Sequence, residues 1–283
     1  MSQPLATLYI VSTPIGNLAD ITYRAITTLQ QVDIIAAEDT RHSRLLLEYY
    51  KITTPMTSLH GDNEKNKTVK LLHELKAGKS IALISDAGTP LISDPGEYLI
   101  QQVRAAGYGV VPVPGACALI TALSASGLAT KRFRFEGFLP HKIKARRAIL
   151  ETLQNDQATL IFYESRHDIL DFLQLAADVF GGERQAVLAR ELTKQFETIH
   201  ADSLEMLYTW VCADSNQQKG EYVVLITGAE PQQAMAGFTE QQILAVLTEH
   251  LPTKQAAKLT AEITGGSQRD YYQQVLAIKE QSQ

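Results

Sequence analysis

The chain has 283 residues, of which 45% are apolar and 20% charged, with a formal net charge of −5. That length exceeds one small domain and suits two domains and a tail, with apolar residues enough for a sizeable core. The acidic balance excludes a simple nucleic-acid coat but leaves room for local basic patches.

The first stretch alternates short apolar runs with amphipathic segments, the pattern of an α/β layer fold. Thr7–Val11 is predicted as a strand, followed by the loop STPIGNLAD, in which Asp20 caps a helix carrying Ile21, Ala25, Ile26, Leu29 and Val32. Strand 33–37, helix 40–50, a helix across 63–76 that stops at Gly78, strand 80–84, helix 97–106, strand 110–113 and helix 116–127 follow. A connector, KRFRFEGFLPHKIKARR, leads to a second α/β half with helix 144–154, strand 159–163, helix 167–180, strand 186–189, helix 203–213 and strand 222–227. Beyond Pro231 the pattern turns helical. Phe238-Thr239-Glu240-Gln241-Gln242 holds a capping box, a second helix covers 253–264 before Gly265-Gly266, and Ser267 with Asp270 boxes a third. The expected domains are therefore 1–117, 118–231 and a helical module at 237–283.

Two cysteines, Cys117 and Cys212, exclude a disulfide framework and are expected as small buried residues. No Cys/His spacing fits a metal site, so no metal is expected. The N-terminus lacks a signal peptide's basic start, and no run approaches the ~20 apolar residues that cross a bilayer. A soluble cytoplasmic protein with no membrane segment is the expectation.

In open α/β sheets ligands gather beyond the C-terminal strand ends. Three turns qualify here: Ser12–Asn17, Ser85–Gly96 and Pro112–Ala116. None is a phosphate cradle, because no G-x-x-x-x-G-K-[ST] or G-x-G-x-x-G follows a strand. Prolines at 14, 90, 95, 112 and 114 remove donors, and Asp86 and Asp94 would repel a pyrophosphate. Carboxylates and carbonyls suit hydroxyls, amines and cations, all of which S-adenosylmethionine offers. The plainer reading keeps both aspartates as turn or helix caps, and it fits Asp94-Pro95-Gly96 better than Asp86.

VSTPIGNL at 11–18, AAEDTR at 36–41, LISDAGTPLISDPG at 83–96, VPVPGACA at 111–118, EGFLP at 136–140, FYESRH at 162–167, ARELTK at 189–194 and KGEYVVLI at 219–226 occur in this order. Together they resemble the tetrapyrrole (corrin/porphyrin) methylase family. The likeness is closest to its ribosomal RNA branch, methyltransferases that modify the 2′-hydroxyl of a cytidine in the decoding region of 16S RNA. It spans about 7–230 and extends into LPTKQAAKLTAEITG at 251–265, whereas the residues after Gly265 match the pattern loosely. The resemblance implies a bilobal homodimer binding S-adenosylmethionine between its α/β halves. It assigns cofactor contacts to Pro14, Ile15, Gly16, Asp86, Gly88, Pro90, Pro114, Gly115 and Ala116 from the first half. From the second it assigns Phe162, Tyr163, Ala189, Arg190, Glu221, Tyr222 and Val223.

Between Lys131 and Arg147 stand seven basic residues, Lys131, Arg132, Arg134, Lys142, Lys144, Arg146 and Arg147, opposed by Glu136 and interleaved with Phe133, Phe135 and Phe138. This is either an RNA-tracking surface with stacking faces or a strand edge with solvated charges. Arg41, with His42 and Arg44, forms a smaller basic group that either meets RNA or pairs with Glu38 and Asp39. Methyl transfer to a ribose hydroxyl needs an aligned acceptor and a group to take its proton. The candidates are Glu38, Asp39, Glu164 and Glu191, with His42, His60 and His167 behind them, and Glu164 and Glu191 are expected to point into the cleft from strand ends. Two rival readings are a methyltransferase acting on a corrin or porphyrin precursor and a non-catalytic RNA-binding assembly protein.

Overall fold

The computed structural model describes residues 6–230 and 239–281, so Pro231 and Phe238 lie outside the described residues. The chain divides into two compact units, Met1–Ala229 and Glu230–Gln283. Among the described residues no helix is long and apolar enough to cross a membrane.

The first unit contains two sheets. Strands β1 (Thr7–Val11), β2 (Ile34–Ala37), β3 (Met56–Ser58), β4 (Ile81–Ile84) and β5 (Gly109–Val113) form a parallel sheet in the order β3-β2-β4-β1-β5. Parallel neighbours need crossovers, here through α1 (Tyr23–Gln31), α2 (Thr40–Tyr49), α3 (Glu64–Lys76) and α4 (Glu97–Ala105). α1 and α2 bury Leu29 and Leu47 on one face with Ile35 and Ala82. α3 and α4 bury Leu75 and Val103 on the other with Leu8 and Leu83. The neighbouring strands β1 and β4 thus send their helices to opposite faces, and a crevice opens above their C-terminal ends.

α5 (Ala118–Ala125) leads into the second sheet, made of β6 (Phe133–Phe138), β7 (Thr159–Ser165), β8 (Gln185–Arg190), β9 (Thr198–Ser203) and β10 (Glu221–Ile226). Its order is β6-β7-β10-β8-β9, with β6 parallel to β7 and the other pairs antiparallel. Side chains alternate across it. Phe162, Leu188 and Val224 face outward under α6 (Ile143–Leu153), α7 (Ile169–Phe180) and α8 (Leu204–Ala213). Ile161, Val187, Ala189, Val223 and Leu225 face inward, packing with Leu119 and Ala122 of α5 and with Ile15 of the loop after β1. That inner cluster ties the two halves together.

Three strands escape the hydrophobic pattern. β3 has three residues, β9 reads TIHADS with mostly polar side chains, and β6 is an edge strand whose Arg134 is exposed. Asp20 does not cap α1. It belongs to a short 3-10 turn, Ile21 is extended, and the Thr22 side chain accepts from the Ala25 amide instead. Neither cysteine is buried: Cys117 is half-buried and Cys212 exposed, each a free thiol.

The second unit holds α9 (Glu240–His250), α10 (Thr253–Thr264) and α11 (Gln268–Gln281). The expected capping box forms at Thr239 and Gln242, and Gly265 ends α10 in the left-handed region at φ 75°. Ser267 accepts from the Asp270 amide at the start of α11. Leu244, Ala256, Ala257, Tyr271 and Val275 form this unit's own core.

Candidate active site

The three turns singled out in the sequence converge above the first sheet. Thr13 donates its amide to the Gly88 carbonyl at 2.8 Å and receives the Gly88 amide at 3.1 Å. Ser12 Oγ lies 2.9 Å from Thr89 Oγ1, which donates to the Ala116 carbonyl at 3.0 Å. The glycines serve this close approach. Gly88 has φ 81°, and a Cβ at Gly115 would stand 2.8 Å from the Ser12 Cβ. A cavity of about 340 Å³ opens between these turns and the inner face of the second sheet, within the size range of small-molecule sites. Beside it, over the ends of β3, β2 and β4, lies a second cavity of about 360 Å³. Glu38 and Asp86 line both.

The polar wall of the first cavity is acidic. The Asp86 carboxylate accepts the Asp39 amide at 3.0 Å, and the Asp86 amide points to Glu38 Oε2 at 3.4 Å. Burial raises the Glu38 pKa and outweighs the Asp86 amide, while the charges of Asp86 and Asp39 push the same way. Asp94 is pushed up to about 6, first by burial and then by the Glu38 charge, with Ser85 opposing. Asp94 is not a helix cap, because Gly96 is the N-cap of α4 without a side-chain bond. The carboxylate faces the cavity instead. Backbone strain concentrates around the same space. Leu91, Ser93, Glu191 and Thr193 have φ of 75°, 74°, 51° and 66° in the two loops that border it.

The family model for tetrapyrrole (corrin/porphyrin) methylases matches residues 7–208. The chain belongs to this family. As a tetrapyrrole methylase it is a methyltransferase that draws its methyl group from S-adenosylmethionine. A model for the RsmI C-terminal HTH domain matches residues 239–279, so all but the last two residues of α11 fall within the match, where the sequence after Gly265 had fitted only loosely. The "Ribosomal RNA small subunit methyltransferase I" of Pseudomonas aeruginosa is 52% identical over 272 residues, covering 95% of this chain and 96% of that one. Its namesake from Haemophilus influenzae is 52% identical over 279 residues, covering 98% and 99%. The fold is shared with uroporphyrin-III-C-methyltransferase from Thermus thermophilus, with TM-score 0.56, 17% identity and coverage of 78% and 94%. Diphthine synthase shares it too, with TM-score 0.59, 16% identity and coverage of 78% and 90%.

The methylase cavity fits its cofactor by the chemistry of its walls. Crowded carboxylates accept from hydroxyls and an ammonium and gain from a nearby positive charge. Much of the rest of the lining, with Ile15 from the turn after β1 and Tyr163, Ala189, Leu192 and Val223 from the second half, is apolar and aromatic. Of the expected contacts, Ile15, Asp86, Gly88, Tyr163, Ala189, Glu221, Tyr222 and Val223 line the cavity. Pro14, Gly16, Pro90, Pro114, Gly115 and Ala116 do not line it, and Cys117 and Ala118 take the place of the last two.

Strand alternation corrects the remaining assignments. Phe162 packs on Phe172 in the outer core, with ring centroids 5.1 Å apart, away from the methylase cavity. Tyr222 pairs in register with Glu164 and with Arg190, so the three side chains share the outer face, although Tyr222 and Glu164 still border the cavity and Arg190 does not. Arg190 donates to the carbonyls of Lys219, Phe196 and Asn216 and holds their loops. Glu164 lies inside β7 rather than beyond its end. It faces Arg146 under α6, with Oε1 unpartnered, and burial pushes it up to about 7 despite the Arg146 charge. Glu191 does border the cavity but accepts from Lys194 Nζ at 2.9 Å and from the Glu221 amide at 3.0 Å. Burial favours its neutral form, yet those partners hold it below its usual value. Asp39 is held low by hydrogen bonds from Arg41, whose guanidinium lies 2.7 Å away. Lys194, which also meets Glu221 at 2.8 Å, closes the stretch ARELTK at 189–194 but was assigned no role from the sequence. It is the basic residue of the cavity wall and only the fold brings it there.

The basic stretch divides in two. Lys131, Arg132, Lys142 and Lys144 are exposed, as is Arg134, which is engaged by Glu136 and Asp156. Arg147 lies 3.2 Å from Asp178. Arg146 is 2% exposed and meets Asp168 at 3.3 Å, so it is a core residue and not part of an RNA surface. The charge fixes its place: two carboxylates under α6 demand a buried cation. The phenylalanines divide too. Phe135 packs edge-on against Tyr163 with centroids 4.8 Å apart, whereas Phe133 is exposed and Phe138, 61% exposed, reaches the cavity. His42 and His167 are exposed, and His60 lines the second cavity.

Proposed function

We propose that this methylase acts on ribosomal RNA of the small subunit, methylating the 2′-hydroxyl of a cytidine ribose in the decoding region. The observation that carries the reading is β6. Its last residue, Phe138, borders the cofactor cavity, while its approaches bear exposed Lys131, Arg132, Lys142 and Lys144. Such a strand leads a phosphate backbone to the cavity mouth and offers an aromatic face for an unstacked base. The relatives named as ribosomal RNA small subunit methyltransferases support the same substrate. A cytoplasmic homodimer acting on 16S RNA within the small subunit completes the proposal, two-fold dimers being the commonest oligomers.

The bound cofactor supplies an electrophilic methyl on sulfur. The chain's own work is to align the acceptor and manage its proton. Asp86 and the loop 87–89 bind the polar end of the cofactor, and Tyr163, Ala189 and Val223 hold its apolar part. The Glu191–Lys194–Glu221 cluster closes the far side. The test supplies labelled S-adenosylmethionine with unmethylated small subunits. Label should enter the RNA and protect one ribose from alkaline cleavage. Label on a base, or transfer only into a tetrapyrrole precursor, overturns the reading, and binding of both ligands without transfer favours an assembly protein.

A further inference from the structure

We propose that the second cavity receives the ribose of the target nucleotide and that Glu38, on the wall shared with the cofactor cavity, accepts the proton of the attacking hydroxyl. The inference rests on the ribose-methylation reading and assigns the acceptor site and the base within it.

The second cavity is bounded by Thr40, Ser58, His60 and Arg41 as well as by Glu38 and Asp86. Hydroxyls, an imidazole and carboxylates are partners for a sugar. Arg41, whose side chain is 88% exposed, stands where the phosphates flanking that sugar reach solvent. The methyl donor and its acceptor must meet in line, so the reacting atoms lie where the two cavities adjoin. Glu38 and Asp86 form that boundary.

The other candidate carboxylates are committed elsewhere. Glu164 borders the cofactor cavity but not the second one and has Arg146 beside it, Glu191 is engaged by Lys194 and a backbone amide, and Asp39 is engaged by Arg41. Asp86 spends a carboxylate oxygen on the Asp39 amide. Glu38 has one long contact, from the Asp86 amide at 3.4 Å. It is surrounded by Asp86, Asp94 and Asp39, with His42 adding a cationic influence. A half-buried carboxylate among other carboxylates is a stronger base than an exposed one, and this strengthens the geometric choice. In the step, the oxygen–methyl bond forms as the sulfur–methyl bond breaks. The electron pair of the broken bond stays on sulfur as a thioether, and the hydroxyl proton passes to the Glu38 carboxylate.

Single-turnover methylation of small subunits by the full chain tests this, together with cofactor affinity and mapping of the product. At saturating cofactor across the pH range, Glu38→Gln should slow transfer at least about a hundredfold and should abolish the acidic limb of the pH–rate profile. Glu38→Asp should restore part of the rate and the limb. Arg41→Ala and His60→Ala should raise KM for the subunit several-fold without changing cofactor affinity. A retained acidic limb in Glu38→Gln assigns the proton to another group, such as His42, and overturns the base. Unchanged KM in both cavity variants overturns the acceptor site. Product mapping on the wild-type enzyme keeps the outcomes separate, since label on a base refutes ribose methylation whatever Glu38 does.

Discussion

The carboxylate of Asp86 accepts the backbone amide of Asp39 at 3.0 Å, joining the loop after β4 to the loop after β2 across the crest of the parallel sheet. One side chain therefore has two duties. It fixes the turn that carries Glu38 and presents negative charge to the cofactor cavity.

Asp86→Asn separates those duties, because an amide oxygen still accepts from Asp39. It should weaken cofactor binding at least about tenfold while costing under about 1 kcal/mol of stability, the scale of one net hydrogen bond. Asp86→Ala should lose both. Calorimetric binding and urea melts check the pair of variants, and unchanged cofactor affinity in Asp86→Asn would leave the residue a structural tie.

Arg146 is predicted to matter for folding and not for RNA. Replacing it with Met leaves buried Glu164, and half-buried Asp168 beside it, without their cation, a loss of about 3–5 kcal/mol. Arg146→Met combined with Glu164→Leu should recover much of that. Neither change should alter the salt dependence of RNA binding. Denaturant melts and filter binding at several salt concentrations measure both.

Lys142 and Lys144, by contrast, are exposed at the start of α6. Reversing both to Glu, together with Arg132→Glu, should lower RNA affinity and flatten its log–log salt slope by about 0.7–0.9 for each phosphate that is no longer neutralised. Cofactor binding should stay as it was. An unchanged slope would remove β6 and its approaches from the RNA path.

Asp94 gives the cofactor-free enzyme a pH-dependent stability. Its carboxyl titrates near 6 in the fold against an ordinary 3.8, so the folded state holds the proton more tightly than the unfolded state. This contribution is fully present below about pH 4 and is lost as pH rises through about 6. Asp94→Asn should therefore narrow the fall in Tm between pH 4 and pH 7 in the cofactor-free protein. In the wild type, cofactor affinity should rise over the same interval as the carboxylate ionises. Thermal melts and binding isotherms across that range report both effects.

A methyl group at Gly115 tests the packing of the turns. The Cβ of Gly115→Ala would stand 2.8 Å from the Ser12 Cβ, an atom next to the backbone that no rotamer change can move away. A cost of about 1–3 kcal/mol is expected from such overpacking. Cofactor affinity should also fall, since Ser12, Thr89 and Ala116 are linked by hydrogen bonds at this point. Urea melts and calorimetric binding of the variant measure the two losses.

Apart from β3, β6 and β9, the order of strands and helices in both halves, the capping box at Thr239 and the three turns beside the cavity were legible in the sequence. Each is encoded locally, by apolar period, by cap chemistry or by glycine and proline. So was the character of the ligand. A strand-to-helix turn without a cation, carrying Asp86 and Asp94, is wrong for a pyrophosphate and right for a cofactor with hydroxyls and positive charge. The sequence could not say which of two consecutive residues faces the cleft. Phe162 against Tyr163, Ala189 against Arg190 and Tyr222 against Val223 were decided by the register of β10 between β7 and β8. A one-residue change of phase exchanges core and cavity. The same register turned the Glu164 carboxylate toward Arg146, although the residue still borders the cavity, and that long-range pairing took Arg146 out of a basic surface and into the core. Lys194 and the adjoining cavity at Glu38 likewise come from distant segments meeting, and that proximity exists only once the sheets have formed.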